Sequence, residues 1–337
     1  MPLSFTLKDF LRQPGTTLDV RSPNEFLQGH IPESHSFALF SDAERAQIGT
    51  VYKQQSKQEA IELGLLLVEP KIEHMLNQVP SLLNSHGKIV CWRGGMRSGF
   101  MAHLLEWRGY SVITLQGGYQ AYRRWALQQF HHLSLSSLCV LGGLTGSGKT
   151  DILQALKQRG EQVIDLEALA KHRGSVFGEL GPQPTQEQFE NELAMTLEHL
   201  DRSKPIWIED ESRVIGHCHL PTGLYQSIKH APLFYIQRSL SERLTLLLAQ
   251  YGQTPKEQLL TAVNRITKRL GNQLAKEVQQ LIEREQNEQA FERLLTYYDK
   301  AYQYHLTKRQ MTYCIQESSA LSSDEWADML QAYRRRI

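Results

Sequence analysis

A glycine-rich run, GLTGSGKT at residues 143–150, has the residue types and spacing of a phosphate-binding loop. Glycines allow backbone angles that point successive N–H groups at phosphate oxygens, and a following helix adds its N-terminal dipole. Lys149 then reaches the terminal phosphate and the Thr150 hydroxyl ligates Mg²⁺. The predicted phosphate-binding residues are Gly143, Gly146, Ser147, Gly148, Lys149 and Thr150. The alternative is a glycine-rich turn without a ligand, but the apolar run before it and the helical pattern after it favour the phosphate loop.

A second strand pattern, residues 205–209, ends in carboxylates. It is apolar up to Glu209, and Asp210 and Glu211 follow directly. Because ligands bind at the carboxyl ends of strands in open α/β sheets, one of the three is predicted to hold a Mg²⁺ shell or to activate a water. The alternative is a solvated acidic loop. The phosphate itself can belong to ATP, GTP or another diphosphate ester.

Cys91 follows the apolar strand pattern at residues 88–90 and precedes Arg97 by a five-residue loop. In such a loop, backbone N–H groups and the N-terminus of the next helix converge on the sulfur and stabilise a thiolate nucleophile. Arg93 and Arg97 add positive charge, so Cys91, Arg93 and Arg97 are the predicted catalytic residues. The alternative is a buried structural cysteine. Rhodaneses, which transfer chalcogens, and cysteine phosphatases share this loop geometry.

Two strand–loop–helix patterns, one around each loop, divide the chain at a short polar linker. Residues 1–133 alternate apolar runs with helical patterns, which predicts an α/β domain with a parallel sheet. Residues 134–238 are predicted as an α/β core around the phosphate loop, and residues 239–337 as a helical extension. The predicted strands are 17–20, 89–90, 112–115, 138–141, 162–164, 205–209 and 233–236, and the main predicted helices are 72–83, 99–108 and 149–158.

The amino-acid composition limits the class of protein and the kinds of partner that the chain can have. The 337 residues include 37 Lys+Arg and 36 Asp+Glu, with 41% hydrophobic and 22% charged residues. These values are typical of a globular protein with two domains. Because the positive and negative charges nearly cancel, net charge gives no argument for nucleic-acid binding. Four widely spaced cysteines argue against a disulfide framework or zinc site. Since no signal-peptide pattern or membrane-spanning apolar run is present, we expect a soluble cytoplasmic protein without a membrane partner.

The upstream sequence separates the two classes that share the cysteine loop. Residues 18–26, LDVRSPNEF, and residues 29–32, GHIP, resemble the N-terminal signature of the rhodanese family. This resemblance favours sulfur or selenium transfer over phosphate-ester hydrolysis. Asp19 and Arg21 are predicted to pair beside the active loop.

Further motifs resemble those of the bacterial tRNA 2-selenouridine synthase family, from Asp19 to about Gly271. They are CWRGGMRS (91–98), GGYQAYR (117–123), HRGSVFG (172–178), QP (183–184), FEN (189–191), EDES (209–212) and ITKRLG (266–271). The resemblance implies a rhodanese-like domain over residues 1–133, followed by a P-loop NTPase-like α/β domain with the helical extension.

The resemblance implies a transferase that converts wobble-position 2-thiouridine to 2-selenouridine in two steps. Geranyl diphosphate first alkylates the thiocarbonyl sulfur. Selenium from selenophosphate, carried on Cys91 as a selenylsulfide, then displaces geranylthiol from C2. On this basis we expect the phosphate loop to bind geranyl diphosphate, although a nucleotide remains an alternative. The implied partners are the tRNAs for Lys, Glu and Gln, with no tightly bound cofactor beyond Mg²⁺, and we expect a monomer.

Basic residues in the second half are candidates for RNA or substrate contact: His172, Arg173, Arg265, Lys268 and Arg269. The last three share one face of a predicted helix, and the alternative is a solvated charged face. Two further functions remain open. One is a generic sulfurtransferase with a nucleotide-binding regulatory domain, and the other is a regulatory binding module in which Cys91 is a sensor.

Overall fold

The computed structural model describes residues 3–131, 137–172, 181–306, 312–316 and 321–336. None of the helices in these ranges combines the length and apolar character that a membrane span requires. The chain forms two compact units. Unit 1 comprises Met1–Gln129 and Thr185–Met195, and unit 2 comprises Phe130–Pro184 and Thr196–Ile337.

Unit 1 contains a five-stranded parallel sheet. Its strands are β1 (Leu3–Phe5), β2 (Thr16–Asp19), β3 (His35–Ser36), β4 (His86–Val90) and β5 (Ser111–Leu115). They lie in the order β1-β5-β4-β2-β3, and each neighbouring pair is parallel. The central strands β2, β4 and β5 form where apolar runs predicted them. The edge strands β1 and β3 were not predicted, because short, largely exposed strands lack such a run.

The helices of unit 1 are α1 (Leu7–Arg12), α2 (Pro23–Gln28), α3 (Asp42–Gln54), α4 (Lys57–Val68), α5 (Ile72–Gln78), α6 (Met96–Trp107) and α7 (Gly118–Gln129). The helix predicted at residues 72–83 ends early, and Val79–Ser81 forms a 3₁₀ turn. Pro80 is the physical reason, since it lacks an N–H group and restricts the residue before it. Leu18 and Ile89 from the central strands are buried together with the apolar face of α6.

Unit 2 contains a second five-stranded parallel sheet and a small antiparallel ribbon. In chain order the strands are β6 (Leu138–Gly142), β7 (Gln162–Ile164), β8 (Ile206–Glu209), β9 (Val214–Ile215), β10 (Cys218–His219), β11 (Leu233–Gln237) and β12 (Thr312–Gln316). The sheet order is β12-β11-β6-β8-β7, with parallel neighbours. β9 and β10 form the ribbon. The central position of β6 places the loop that follows it at the carboxyl edge of the sheet, where ligands bind in such folds.

The remaining helices are α8 (Lys149–Gln158), α9 (Leu166–Ala170), α10 (Gln186–Glu198), α11 (Thr222–His230), α12 (Leu240–Tyr251), α13 (Lys256–Leu270), α14 (Asn272–Glu283), α15 (Asn287–Leu306) and α16 (Ser323–Arg334). Helices α12 to α15 share an apolar core of their own, which includes Leu247, Val263, Val278 and Phe291. This core is the predicted helical extension.

The predicted domain bounds need two corrections. Thr185–Met195 clusters with unit 1 rather than with the α/β core of residues 134–238. In addition, the helical extension does not run through residues 239–337, because β12 completes the second sheet beside β11. Trp326 of α16 is buried with Ile152 and Trp207 in the core of that sheet. Burial of these apolar side chains draws the end of the chain back to the α/β core.

Candidate active sites

The sulfur of Cys91 lies in a loop between β4 and the start of α6. The Gly95 N–H donates to Cys91 Sγ at 3.3 Å, and Ser98 Oγ lies 3.2 Å from the same sulfur. The Ser98 hydroxyl also lies 3.1 Å from the Gly95 carbonyl oxygen. Cys91 is buried, with 3% of its surface exposed. The loop therefore holds the sulfur in one place and aims a backbone N–H group at it, a geometry that suits a sulfur nucleophile.

The glycine pair that begins α7 supports this loop from behind. The Tyr119 N–H donates to the Cys91 carbonyl at 2.9 Å, and the Gln120 N–H donates to the Trp92 carbonyl at 3.1 Å. A Cβ on Gly118 would stand 2.3 Å from the Cys91 carbonyl oxygen and 2.4 Å from the Gly94 nitrogen. With φ at +56°, Gly118 also adopts a conformation that other residues rarely do. The GGYQ motif is thus explained by close backbone packing against the cysteine loop.

The two arginines of the loop differ in their surroundings. Arg97 donates to Glu25 at 2.8 Å, and Arg45 pairs with the same carboxylate. Burial raises the pKa of Glu25, but the hydrogen bond and charge of Arg97, a backbone N–H of Ser22 and the charge of Arg45 outweigh it and lower the pKa to about 2. Arg93 is exposed. Arg97 therefore ties the loop to α2, whereas Arg93 faces solvent.

The predicted pair of Asp19 and Arg21 is confirmed. The two side chains are fully buried and joined by a 2.7 Å ion pair. The Arg21 guanidinium also donates to the Gly29 carbonyl and lies 3.8 Å from the centroid of the Tyr119 ring. A buried ion pair held by several hydrogen bonds fixes the position of the segments it joins, because removing either partner would leave the other charge uncompensated. Here it joins the LDVR strand end, the GHIP turn and α7.

The sequence did not predict that the start of α10 belongs to the cysteine site. Fully buried Asn191 donates to the His30 carbonyl at 3.0 Å and to Tyr119 Oη at 2.7 Å, and its side-chain oxygen accepts from Arg123. Tyr119 Oη donates to Glu187 at 2.5 Å. The signal was present as the FEN motif, but the partners are separated by 68 to 161 residues in the chain, so the motif did not indicate the contact.

The phosphate loop lies between β6 and α8, as predicted. Gly146 and Gly148 have φ of +80° and +74°, so their glycine identity is required by the backbone. Lys149 Nζ lies 3.5 Å from Glu209 and donates to the Gly143 carbonyl at 3.3 Å. Burial lowers the pKa of Lys149, but the surrounding carboxylates, Glu209 foremost, outweigh it and raise the pKa. The lysine is therefore held as a cation beside the loop.

Three carboxylates converge beside Lys149, and only two of them were predicted. Oxygens of Glu167, Glu209 and Glu211 lie within 4.8 Å of one another. Burial, helped by neighbouring negative charge, raises the pKa of Glu209 well above its usual range and that of Glu211 to about 7. Asp210 lies elsewhere, 3.2 Å from Lys229 and accepting from Tyr302. Glu167 was missed because it begins a short helix 42 residues before Glu209, with no motif around it.

This donor set fits a divalent cation. The Thr150 hydroxyl donates to Glu167 at 2.8 Å, and the buried Glu209 Oε2 has no hydrogen-bond partner within the described ranges. Hard oxygen ligands of this kind are those that Mg²⁺ prefers. The residues that would hold it are Thr150, Glu167, Glu209 and Glu211.

The helical extension contacts the phosphate loop through two side chains for which the sequence predicted no role at this loop. Buried Arg243 donates to the Thr145 carbonyl at 3.1 Å and forms a bidentate pair with Asp299. Tyr302 Oη accepts from the Gly143 N–H at 3.2 Å and donates to Asp210 at 2.9 Å. These contacts fix both ends of the GLTG half of the loop.

The candidate RNA contacts lie in two places. Arg265, Lys268 and Arg269 are exposed on α13, in agreement with a shared face. His172 lies just after α9, with its N–H bonded to the Glu167 carbonyl at 2.9 Å. Arg173 lies outside the described residues. The predicted role of these residues stays a prediction.

Both halves of the chain match known families. Residues 6–124 match the rhodanese-like domain, and residues 136–333 match the tRNA 2-selenouridine synthase AAA domain. The tRNA 2-selenouridine synthase of Shewanella denitrificans is 34% identical over 93% of this chain and 94% of its own length. Those of Marinobacter nauticus and Shewanella woodyi are each 34% identical, over 87% and 96% of this chain and 89% and 96% of their own lengths. The similarity therefore extends through both sites.

Proposed function

The chain belongs to the tRNA 2-selenouridine synthase family, and from that premise we propose that it replaces sulfur by selenium at C2 of wobble-position 2-thiouridine in tRNA. The enzyme is a transferase. The observation that carries the proposal is the loop geometry around Cys91, where a buried sulfur receives the Gly95 N–H at 3.3 Å. An intact phosphate loop in the same chain gives the second reactive centre that a two-step exchange needs.

The first proposed step is alkylation of the thiocarbonyl sulfur by geranyl diphosphate at the phosphate loop. The sulfur forms a bond to C1 of the geranyl group, the C1–O bond breaks, and the electron pair leaves with the diphosphate. Negative charge therefore develops on the diphosphate, where the loop N–H groups and the Lys149 ammonium stabilise it. Mg²⁺, when bound by the residues named above, neutralises part of that charge. Lys149, whose pKa is raised by the surrounding carboxylates, is suited to this task.

The second proposed step takes place at Cys91. Alkylation makes C2 more electrophilic and turns its sulfur into a thiol leaving group. The Cys91 thiolate attacks the selenium of selenophosphate, and the Se–P bond breaks with its electron pair leaving on phosphorus as phosphite, so that Cys91 carries a selenylsulfide. The terminal selenium attacks C2, and the C2–S bond breaks to release geranylthiol. A low-molecular-weight thiol then attacks the Cys91 sulfur, the Se–S bond breaks to free the selenouridine, and a second thiol reduces the mixed disulfide left on Cys91. Exposed Arg93 attracts the anionic donor, while Arg97 and Glu25 hold the loop.

The finer identity of the partners follows from the same premise. We take the tRNAs for Lys, Glu and Gln as substrates. The exposed cations of α13 form one contact surface for their phosphates. The active form is a monomer in the cytoplasm. Binding through that surface should weaken steeply as salt concentration rises.

Nucleoside mass spectrometry of 2-thiouridine tRNA tests the proposal. The wild-type enzyme, geranyl diphosphate and selenophosphate should yield selenouridine. Cys91→Ala should stop at the geranylated base, and Lys149→Ala should leave the thiouridine unchanged. If the wild type leaves the tRNA unchanged but transfers sulfur from thiosulfate to cyanide, the chain is a generic sulfurtransferase instead. If ATP displaces geranyl diphosphate strongly and is turned over, the phosphate loop serves a nucleotide.

A further inference from the structure

An apolar surface of α12 lies against the phosphate loop. The Cβ position of Gly146 is 3.1 Å from Leu247 Cγ, and that of Gly148 is 3.5 Å from Leu246 Cδ1. The two leucines therefore lie beside the two glycines on either side of Ser147. Neither leucine side chain can offer a hydrogen bond to a ligand held by the loop.

The two leucines differ in their packing. Leu247 is buried, with 8% of its surface exposed, and belongs to the apolar core of α12 to α15. Leu246 is half-buried and is not among the described side chains of that core or packed against it, whereas the neighbouring Leu248 is packed against it. Leu247 thus supports the loop, and Leu246 presents apolar surface to solvent at the edge of the loop.

This surface suits one class of diphosphate ester better than another. A nucleoside diphosphate has a polar base, whose donors and acceptors need partners when they leave water. A prenyl chain has none, and it gains free energy in proportion to the apolar area that it buries. We propose that Leu246 is a specificity-determining residue that contacts the prenyl chain of the diphosphate ester at the phosphate loop. This inference rests on the proposed function of that loop.

Calorimetric titration of the full chain with Mg²⁺ tests the role of Leu246. The ligands are inorganic diphosphate, dimethylallyl diphosphate and geranyl diphosphate, which share the diphosphate and differ in the length of the apolar chain. For the wild type, affinity should rise along this series. Leu246→Ala should weaken geranyl diphosphate binding about tenfold, because a leucine contact is removed, and leave inorganic diphosphate affinity unchanged. Leu246→Met, which keeps an apolar side chain of similar volume, should retain the wild-type series.

Leu248→Ala is the matched control, since it removes the same side chain from the same helix on the side of the core. It should lower thermal stability and keep the ratio of geranyl to inorganic diphosphate affinity. Equal weakening of all three ligands by Leu246→Ala, or no weakening at all, overturns the role of Leu246. If wild-type enzyme binds geranyl diphosphate no more tightly than inorganic diphosphate, the proposed function of the loop fails as well.

Discussion

The two loops are built from the same strand–loop–helix unit but are held and charged in opposite ways. The cysteine loop is supported by backbone N–H groups of α7, and Glu25, the carboxylate partner of Arg97, is ionised between two arginines. The phosphate loop is supported by side chains of the helical extension, and buried carboxylates crowd around Lys149. One site therefore holds its sulfur in a charge-balanced frame. The other concentrates carboxylates whose negative charge a divalent cation can balance, so that an anionic phosphate ligand can bind beside them.

The largest effect should come from the backbone support of the cysteine loop. Gly118→Ala places a methyl group 2.3 Å from the Cys91 carbonyl oxygen and must displace the loop. We expect selenation of geranylated tRNA to fall at least about 100-fold, since small misplacements of a nucleophile are costly. Geranylation should persist, as measured by nucleoside mass spectrometry. Gly99→Ala is the control, because a Cβ there meets no atom within 4 Å. Wild-type selenation by Gly118→Ala would contradict this account of the loop.

The second largest effect should come from removing a side chain that supports the phosphate loop. Arg243→Ala leaves Asp299 and the Thr145 carbonyl without their partner and should cost about 3 kcal/mol of unfolding free energy. Diphosphate affinity should fall with it, while selenation of geranylated tRNA remains. Urea unfolding and calorimetry measure the two quantities.

Arg293→Ala is the control for Arg243→Ala, since its exposed pair with Glu277 should contribute less than about 1 kcal/mol. Undiminished diphosphate affinity in Arg243→Ala would show that the helical extension does not hold the loop.

A third prediction concerns the segment of α10 in unit 1. Asn191→Ala leaves the His30 carbonyl without a hydrogen-bond partner in the protein interior, removes one of the two partners of Arg123, and should cost about 2 kcal/mol of stability. Because Asn191 also holds Tyr119, selenation should fall while geranylation continues. Glu198→Ala, at the exposed end of the same helix, should change neither. Equal loss of both activities would show that Asn191 does not support the cysteine loop specifically.

The pH dependence of stability should have opposite signs at the two sites. Burial raises the pKa of Glu211 to about 7, so between its unfolded and folded pKa the folded state holds the extra proton. Glu211 therefore makes its full contribution to the free energy of unfolding below the pKa that it has in the unfolded state. This contribution is lost as pH rises through about 7. Relative to Glu211→Gln, the wild type should lose about 2 kcal/mol between about pH 5 and pH 8 in the presence of a chelator. A constant difference across that range would contradict the raised pKa.

Glu25 should give the smaller and opposite effect. Its lowered pKa, about 2, means that the ionised form stabilises the fold above the unfolded pKa and that this contribution is lost as pH falls towards 2. Glu25→Gln should cost about 1 kcal/mol at neutral pH, since the pair with Arg97 is partly exposed. Urea unfolding across the acid range should show the difference between variant and wild type shrinking at low pH. A difference that grows instead would reverse the sign.

Local sequence patterns were sufficient to predict much of the structure of both sites. The apolar runs before Cys91 and Gly143 predicted the central strands, and the glycines and Lys149 predicted the phosphate loop. These features depend on neighbours in the chain and can therefore be recognised from the sequence. The pair of Asp19 and Arg21 is also local, with the two residues at one strand end. The fold class and the positions of the two loops were therefore predictable.

Contacts between distant segments were not predictable in the same way. Glu167 completes the carboxylate cluster, Asn191 holds Tyr119, and Arg243 holds the phosphate loop, yet none stands in a pattern that names its partner. The edge strand β12 joined the second sheet through pairing with β11, from a part of the chain expected to be helical. Sequence alone determined where the two loops lie and which residue types they contain. Tertiary packing decided which carboxylates meet and what holds each loop, because burial and charge depend on neighbours that the chain order does not specify.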